Sequence, residues 1–382
     1  MSVPTVEMAT YRRALVSWYR RAARDLPWRR DPSPYRVWVS EIMLQQTRVD
    51  TVLRYFDRFL ERFPSVEALA AAGEEAVLEA WSGLGYYRRA RNLHAGAQVV
   101  VEVHGGEFPR DEAGALSIPG IGRYTAGAVR SIAYGERAPI LDGNVQRVLS
   151  RVFGVEGDPQ RVPASRTLWE LAAAVVGAGD PSEVNQAQME LGALVCTPRD
   201  PACGACPLNG SCVAFRDGRV EELPALAARK KSVPIQRAVL LVRTADRILL
   251  RRRGPDELLP GLWDLPGAFA GDDDRAATGP EDVRGLVPFA VEILGPLGMI
   301  RHAVTHRRVR LDVFAAEPVS ARPGPGGPDP RPLFDPHSLR DRDHLWITPT
   351  LALDRALSSP ARRIVRRWGS VLDSGTSSPV SC

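Results

Sequence analysis

The 382-residue sequence predicts an all-α domain followed by a smaller α+β domain, and three observations carry that expectation. From Tyr11 to about Ala193 apolar residues recur at the helical spacing of 3.6, punctuated by Pro, Gly and Asp. The polar, basic, proline-flanked stretch FRDGRVEELPALAARKKSVP, Phe215 to Pro234, reads as a linker. Beyond it the apolar period changes to two. The expected boundaries are therefore 8–214 for the helical domain, 215–234 for the linker, 235–369 for the second domain and 370–382 for a disordered tail.

Taken in order, MSVPTVEMATYRRALVSWYRRAARDLPW reads as an amphipathic helix rather than a signal peptide, which predicts an intracellular, cytoplasmic protein without a membrane span. YRVWVSEIMLQQTRVDTVLRYFDRFLERF, VEALAAAGEEAVLEAWSGL, RRARNLHAGAQVVVEVHG, AGAVRSIAYG and RTLWELAAAVV continue the helical pattern. RAVLLVRTADRILLRRR then predicts two strands about a turn at Ala245-Asp246, and IRHAVTHRRVRLDVFAAEP predicts a second hairpin. PVSARPGPGGPDPRP reads as a disordered insertion, and HLWITPTLALDRALSSPARRIVRRWG as a closing helix.

At 44% hydrophobic and 25% charged the chain is an ordinary globular one, and a net charge of +5 fits a nucleic-acid partner without requiring one. The only lysines are Lys230 and Lys231, so no lysine between Met1 and Arg229 can form a Schiff base. Four of the five cysteines fall in CTPRDPACGACPLNGSC, with six, two and five residues between Cys196, Cys203, Cys206 and Cys212. Four such thiolates suit a [4Fe–4S] cluster or a tetrahedral zinc, and spacing alone does not choose.

The stretch LSIPGIGRYTAG, Leu116 to Gly127, places Gly120 and Gly122 ahead of a helix, where unpaired amides, the positive dipole end and Arg123 could hold a phosphate. The same residues would also suit a plain corner between two helices. Glu41 lies in an apolar setting beside Val37, Ile42 and Leu44, which predicts a raised pKa and a general acid. Asp142 precedes a helix and suits an N-cap.

The glycine hairpin, ILDGNVQRV, VSEIMLQQT, GLGYYRRARNL and the cysteine loop together resemble the endonuclease III superfamily of helix-hairpin-helix DNA glycosylases, and within it the adenine-specific, MutY-type branch. The match runs from about Trp18 to Cys212. The resemblance implies a [4Fe–4S] loop at 196–212 and a monomeric enzyme of base excision repair. Its substrate would be adenine opposite 8-oxoguanine or guanine in duplex DNA. Glu41 would protonate adenine N7 and then activate water, Asp142 would stabilise the sugar cation, and Asn144 and Tyr124 would support it. Tyr124 stands where lyases of this superfamily carry a lysine, which implies a monofunctional enzyme. Gln46 and Tyr86 would wedge into the duplex, and Trp28, Arg29 and Gln186 would line the base pocket. Gln146 departs from the family's usual lysine.

LLPGLWDLPGAF resembles the Nudix-like second domain of the same enzymes, without a glutamate-rich metal helix after Gly267. HAVTH resembles the lesion-reading loop, with Val304 and Thr305 in place of the usual phenylalanine and serine and with His306 retained. Endonuclease III-type and mismatch thymine glycosylases, and a non-catalytic damage binder, are the competing readings.

Overall fold

A computed structural model describes residues 7–177, 179–225, 232–257, 259–267, 279–304, 307–319 and 343–370. The chain divides into two compact units, Met1–Ala72 with Arg89–Arg229, and Gly73–Arg88 with Lys230–Cys382.

The first unit is helical: α1 (Met8–Ala22), α2 (Pro27–Arg30), α3 (Pro34–Leu44), α4 (Val49–Val52), α5 (Phe56–Arg62) and α6 (Val66–Ala70) come before the break. The helix α7 (Glu74–Ala80) belongs to the second unit. After it come α8 (Arg88–His104), α9 (Glu112–Ser117), α10 (Arg123–Tyr134), α11 (Gly143–Phe153), α12 (Ala164–Val176), α13 (Pro181–Leu194) and α14 (Val213–Arg216). The sequence writes the ends of these helices locally. Pro34 and Pro181 occupy first-turn positions where a missing N–H costs nothing, and Asp180 caps α13 by accepting from the Ser182 and Glu183 amides. Gly135 and Gly154 close α10 and α11 in the left-handed conformation. Buried Tyr11, Leu15, Trp38, Met43, Phe56, Phe59 and Leu93 fill the core. Within it α10 packs on α3 and α13, while α11 packs on α13.

In the second unit, β1 (Val233–Val242), β5 (Arg307–Pro318) and β4 (Val291–Val304) form one sheet in that order, β1 parallel and β4 antiparallel to β5. A second sheet runs β3 (Trp263–Asp264), β2 (Ile248–Arg252), β6 (His344–Ile347), all antiparallel. Three helices accompany them, α15 (Pro280–Arg284), α16 (Pro349–Ala352) and α17 (Ser359–Trp368). One core cluster joins β1, β2 and β5 to α17 through Val239, Leu250, Leu311 and Ile364, and another holds Leu240, Val283 and Phe289.

The hairpin expected from β4 and β5 forms, with Val304 paired to Arg307. The two strands expected about Ala245-Asp246 also form, and the Thr244 amide donates to the Arg247 carbonyl at 2.9 Å across that turn, but β1 and β2 go to different sheets and pair only through the bridge Arg243 to Ile248. Ala238 to Val242 are all buried, and β1, at one edge of its sheet, takes β5 as a parallel neighbour rather than β2 as a hairpin partner. The proline-rich stretch at 320–332 and the tail at 371–382 lie outside the described residues. Among the described residues no helix is long and apolar enough to cross a membrane.

Candidate active site

Packing of α10 and α11 around α3 and α13 opens a cleft of about 650 Å³ in the first unit. Its lining brings together Trp28, Arg29, Glu41, Gln46, Gly122, Tyr124, Asp142, Asn144 and Gln186, residues drawn from five separate stretches of the sequence.

Glu41 sits mid-α3, 4% exposed. Burial, assisted by the charge of Asp142, pushes its carboxyl up to about 7, against hydrogen bonding from Tyr124 and the attraction of Arg29. Tyr124, one residue inside α10, donates its hydroxyl proton to Glu41 Oε2 and lies 3.3 Å from Met189 Sδ. Burial and the Glu41 charge raise the Tyr124 phenol well above its ordinary value, so it stays a donor. A carboxyl held near neutrality can both give and take a proton at physiological pH.

Asp142 is the N-cap of α11, with Oδ1 accepting from the Val145 amide at 2.7 Å and Oδ2 from Asn144 Nδ2 at 3.0 Å. Burial raises its carboxyl, and these donors oppose that rise by favouring the anion. Asn144 is in turn fixed by Arg147, which donates from Nη2 to Asn144 Oδ1 at 2.8 Å and to the Gly192 carbonyl at 2.7 Å. Gly192 is required here, because a Cβ would lie 2.6 Å from that of Asn144.

The facing wall contains residues the sequence reading passed over. Glu190, 1% exposed, accepts from Arg24 Nε and Arg29 Nη2, both at 2.8 Å. Burial would raise its carboxyl, but the hydrogen bonds from Arg24 and Arg29 prevail and hold it at about 2. Its sequence signal was the spacing QAQME, which sets Glu190 one turn after Gln186 on the same face of α13. Gln186 accepts from the Tyr19 hydroxyl at 3.3 Å and donates to Ser182 Oγ at 3.1 Å. Trp28, 7% exposed, packs edge-on against Phe56.

Four non-glycine residues among those described have positive φ, and two of them, Gln46 (57°) and Tyr86 (49°), are the residues picked out as wedges. A left-handed backbone costs such residues about 1–2 kcal/mol and persists only where the surroundings over-determine it. Gln46 ends the helical pattern that the sequence suggested would run on from α3. Tyr86 does not line the cleft; it is 49% exposed and belongs to the second unit.

Gly120 turns the hairpin at φ 78°, with Asn92 where a Cβ would stand. Gly122 is the N-cap of α10 and has open space at its Cβ position. Arg123 remains 54% exposed at its side chain but is stacked 3.9 Å over Trp169 and lies 3.8 Å from Glu112. Thr305 and His306 lie outside the described residues.

Cys196, Cys203, Cys206 and Cys212 are all unbridged and line one small apolar void with Val148, Val152, Leu191 and Phe215. Burial and the charge of neighbouring thiolates raise Cys203, Cys206 and Cys212, Cys206 to about 11, with the nearby Arg151 guanidinium opposing the rise at Cys203. Among the described residues no group of His, Cys, Asp or Glu is gathered tightly enough to hold a single metal ion. Four unbridged thiols around one void are a donor set that fits a [4Fe–4S] cluster. Two buried arginines tie this loop to α11: Arg147 donates to the Cys196 carbonyl at 2.6 Å, and Arg151 to the Thr197 carbonyl at 2.7 Å and Cys196 Sγ at 3.4 Å.

Residues 39–174 match the family described as HhH-GPD superfamily base excision DNA repair protein. Residues 196–212 match the iron–sulfur binding domain of endonuclease III, and 238–367 a NUDIX domain. The adenine DNA glycosylase of Rattus norvegicus is 37% identical over 364 residues, covering 81% of this chain and 70% of that protein. The adenine DNA glycosylase of Homo sapiens is 36% identical over 365 residues, covering 81% and 67%. Among solved structures, a thermostable thymine-DNA glycosylase superposes with a TM-score of 0.51 at 29% identity, covering 55% of this chain and 97% of its own.

Proposed function

We infer the reaction from one premise: the chain belongs to the adenine DNA glycosylase family. It is a DNA glycosylase with a [4Fe–4S] loop at 196–212, and its reaction is hydrolysis of the bond between adenine and deoxyribose. The finer reading is that the adenine lies opposite 8-oxoguanine or guanine in duplex DNA, and that water alone completes the cleavage.

The observation that carries the assignment is the Glu41 carboxyl, buried, held near pH 7 and facing the same cleft as the hydrogen-bonded Asp142. An adenine inside a duplex is out of reach, so the nucleotide swings out into the cleft. Protonated Glu41 gives its proton to N7 of the base. The C1′–N9 bond then breaks with its electron pair leaving on adenine, and the Asp142 anion stabilises the positive sugar ring. Glu41, now a carboxylate, takes a proton from the water whose oxygen bonds to C1′, and so returns to its starting form.

Arg24, Arg29 and Glu190 form a rigid polar wall against the base, and Trp28 supplies an aromatic face. Tyr124 occupies the place of a Schiff-base lysine and has no amine, so no covalent enzyme–sugar adduct forms through it. The four cysteines would hold the cluster, which would order the loop that anchors Arg147 and Arg151.

The thymine-specific alternative is disfavoured by extent: the thymine-DNA glycosylase accounts for 55% of this chain, whereas the adenine-specific relatives match 81%. The test is excision from duplexes carrying A opposite 8-oxoguanine, G, C or T, and T opposite G. Release of adenine opposite 8-oxoguanine and G, without a borohydride-trapped adduct, is expected; release of thymine, or trapping, contradicts the reading.

A further inference from the structure

The exposed Tyr86 stands on a turn between two buried residues, Leu84 and Tyr87. Gly83 and Gly85 both have positive φ, at 107° and 71°, and Tyr86 follows at 49°. The next residue, Tyr87, is 1% exposed, so one tyrosine is an anchor and the one before it projects.

The anchors come from the far end of the chain, within the second unit. Tyr87 donates its hydroxyl to the Leu357 carbonyl at 2.9 Å, and Arg362 Nη2 donates to Ser82 Oγ at 2.6 Å and to the Arg355 carbonyl at 3.0 Å. Along α7, Glu75 accepts from Trp263 Nε1 at 3.2 Å, and Glu79 pairs with Arg355 at 3.3 Å. These partners belong to the turn between α16 and α17, to α17 and to β3, that is, to the fold around the β4–β5 hairpin.

We propose that Arg362 and Tyr87 are positioning residues for Tyr86, clamping the turn so that the unit carrying the β4–β5 hairpin also sets the wedge. The proposal rests on the reading of Tyr86 as the residue that enters the duplex. A left-handed tyrosine on a turn with two left-handed glycines has many alternatives once its supports go, because glycine gives such a turn little stiffness of its own. Arg362 supplies those supports from within its own unit: it joins Ser82, three residues before Gly85, to two carbonyls of the α16–α17 turn.

The test is a double-mutant cycle in the full-length protein, reading single-turnover adenine excision opposite 8-oxoguanine, with a 2-aminopurine neighbour reporting unstacking. R362A is expected to slow excision and reduce the unstacking signal by about tenfold while Tyr86 is present, within the range for groups sharing one network, and by less than about twofold in a Y86A background. Equal losses in both backgrounds would show a general effect on folding and overturn the proposal, as would no loss with Tyr86 present. Should R362A fail to fold on thermal melting, Y87F, which removes one hydroxyl, carries the same cycle with the same outcomes. If Y86A alone leaves excision and unstacking unchanged, the wedge reading itself fails and the clamp with it; normal impairment by Y86A with additive R362A sinks only the clamp.

Discussion

Tyr124 donates its hydroxyl proton to Glu41 Oε2, a bond between the first turn of α10 and the middle of α3 across the cleft. A donor to a carboxylate favours the charged form, so this bond opposes the burial that raises Glu41. Y124F is therefore expected to keep adenine release, since no atom of the phenol enters the reaction, but to shift the alkaline limb of the pH–rate profile upward. An unchanged limb in single-turnover rates would separate Tyr124 from the Glu41 equilibrium.

The same equilibrium has a stability signature. Glu41 lies at about 7 in the folded chain against an ordinary 4.5, so the folded state holds its proton more tightly than the unfolded one. Its contribution is fully present below the unfolded value and is lost as pH rises through about 7. E41Q cannot ionise and escapes that loss. Urea titrations at successive pH should show E41Q gaining on the native protein between about pH 4.5 and 7, by an amount on the order of 3 kcal/mol, while adenine release is abolished. A difference that does not vary with pH would mean that Glu41 is not the buried acid.

Glu190 has the opposite sign. Its carboxyl is held at about 2 by Arg24 and Arg29, so its contribution is present above the ordinary carboxylate range and is lost as pH falls through about 2. E190Q should destabilise the protein at neutral pH by about 3 kcal/mol, because two guanidinium groups lose a shared buried anion. The deficit relative to native should shrink in acid, which denaturation at pH 7 and pH 3 would measure.

Asp142 separates fold from chemistry. As the N-cap of α11 it accepts from the Val145 amide, a task asparagine performs equally well. D142N should thus stay within about 0.5 kcal/mol of native stability, yet lose adenine release with the negative charge beside the sugar. Melting curves with excision assays on the same preparation decide it; a folded D142N with native activity would remove the anion from the mechanism.

These particulars show where the sequence was readable. Glu41, Asp142, Tyr124 and Asn144 were legible because each sits at a fixed offset within a local motif, and the fold brought them into one cleft. Glu190 was not, because a glutamate inside a helical pattern looks like a solvated face until Arg24 and Arg29, more than 160 positions away, are seen to bury it. The β4–β5 hairpin was legible, but the pairing of β1 was not, for the same reason as Glu190: β1 carries no local mark that its neighbour is β5 rather than β2. Gln46 and Tyr86 stand out by motif, but their left-handed backbones are visible only in the structure.

The cysteine loop and the cleft-lining residues form one continuous chain of hydrogen bonds, Asp142 to Asn144 to Arg147 to the Cys196 carbonyl. Arg147 is buried, and no lysine could reproduce its four hydrogen bonds, to Cys196, Gly143, Asn144 and Gly192, because an ammonium has three N–H groups and lacks the planar fork. R147K is therefore expected to retain iron, roughly four per chain with absorbance near 400 nm for a [4Fe–4S] cluster. It should nevertheless slow excision by about tenfold or more, since Asn144 loses the partner that aims it at Asp142. C212S acts at the other end and should lower both iron content and thermal stability, releasing the loop that Arg151 grips. If R147K instead lost iron in step with activity, Arg147 would serve the loop alone, and the link from cluster to cleft would be broken at that residue.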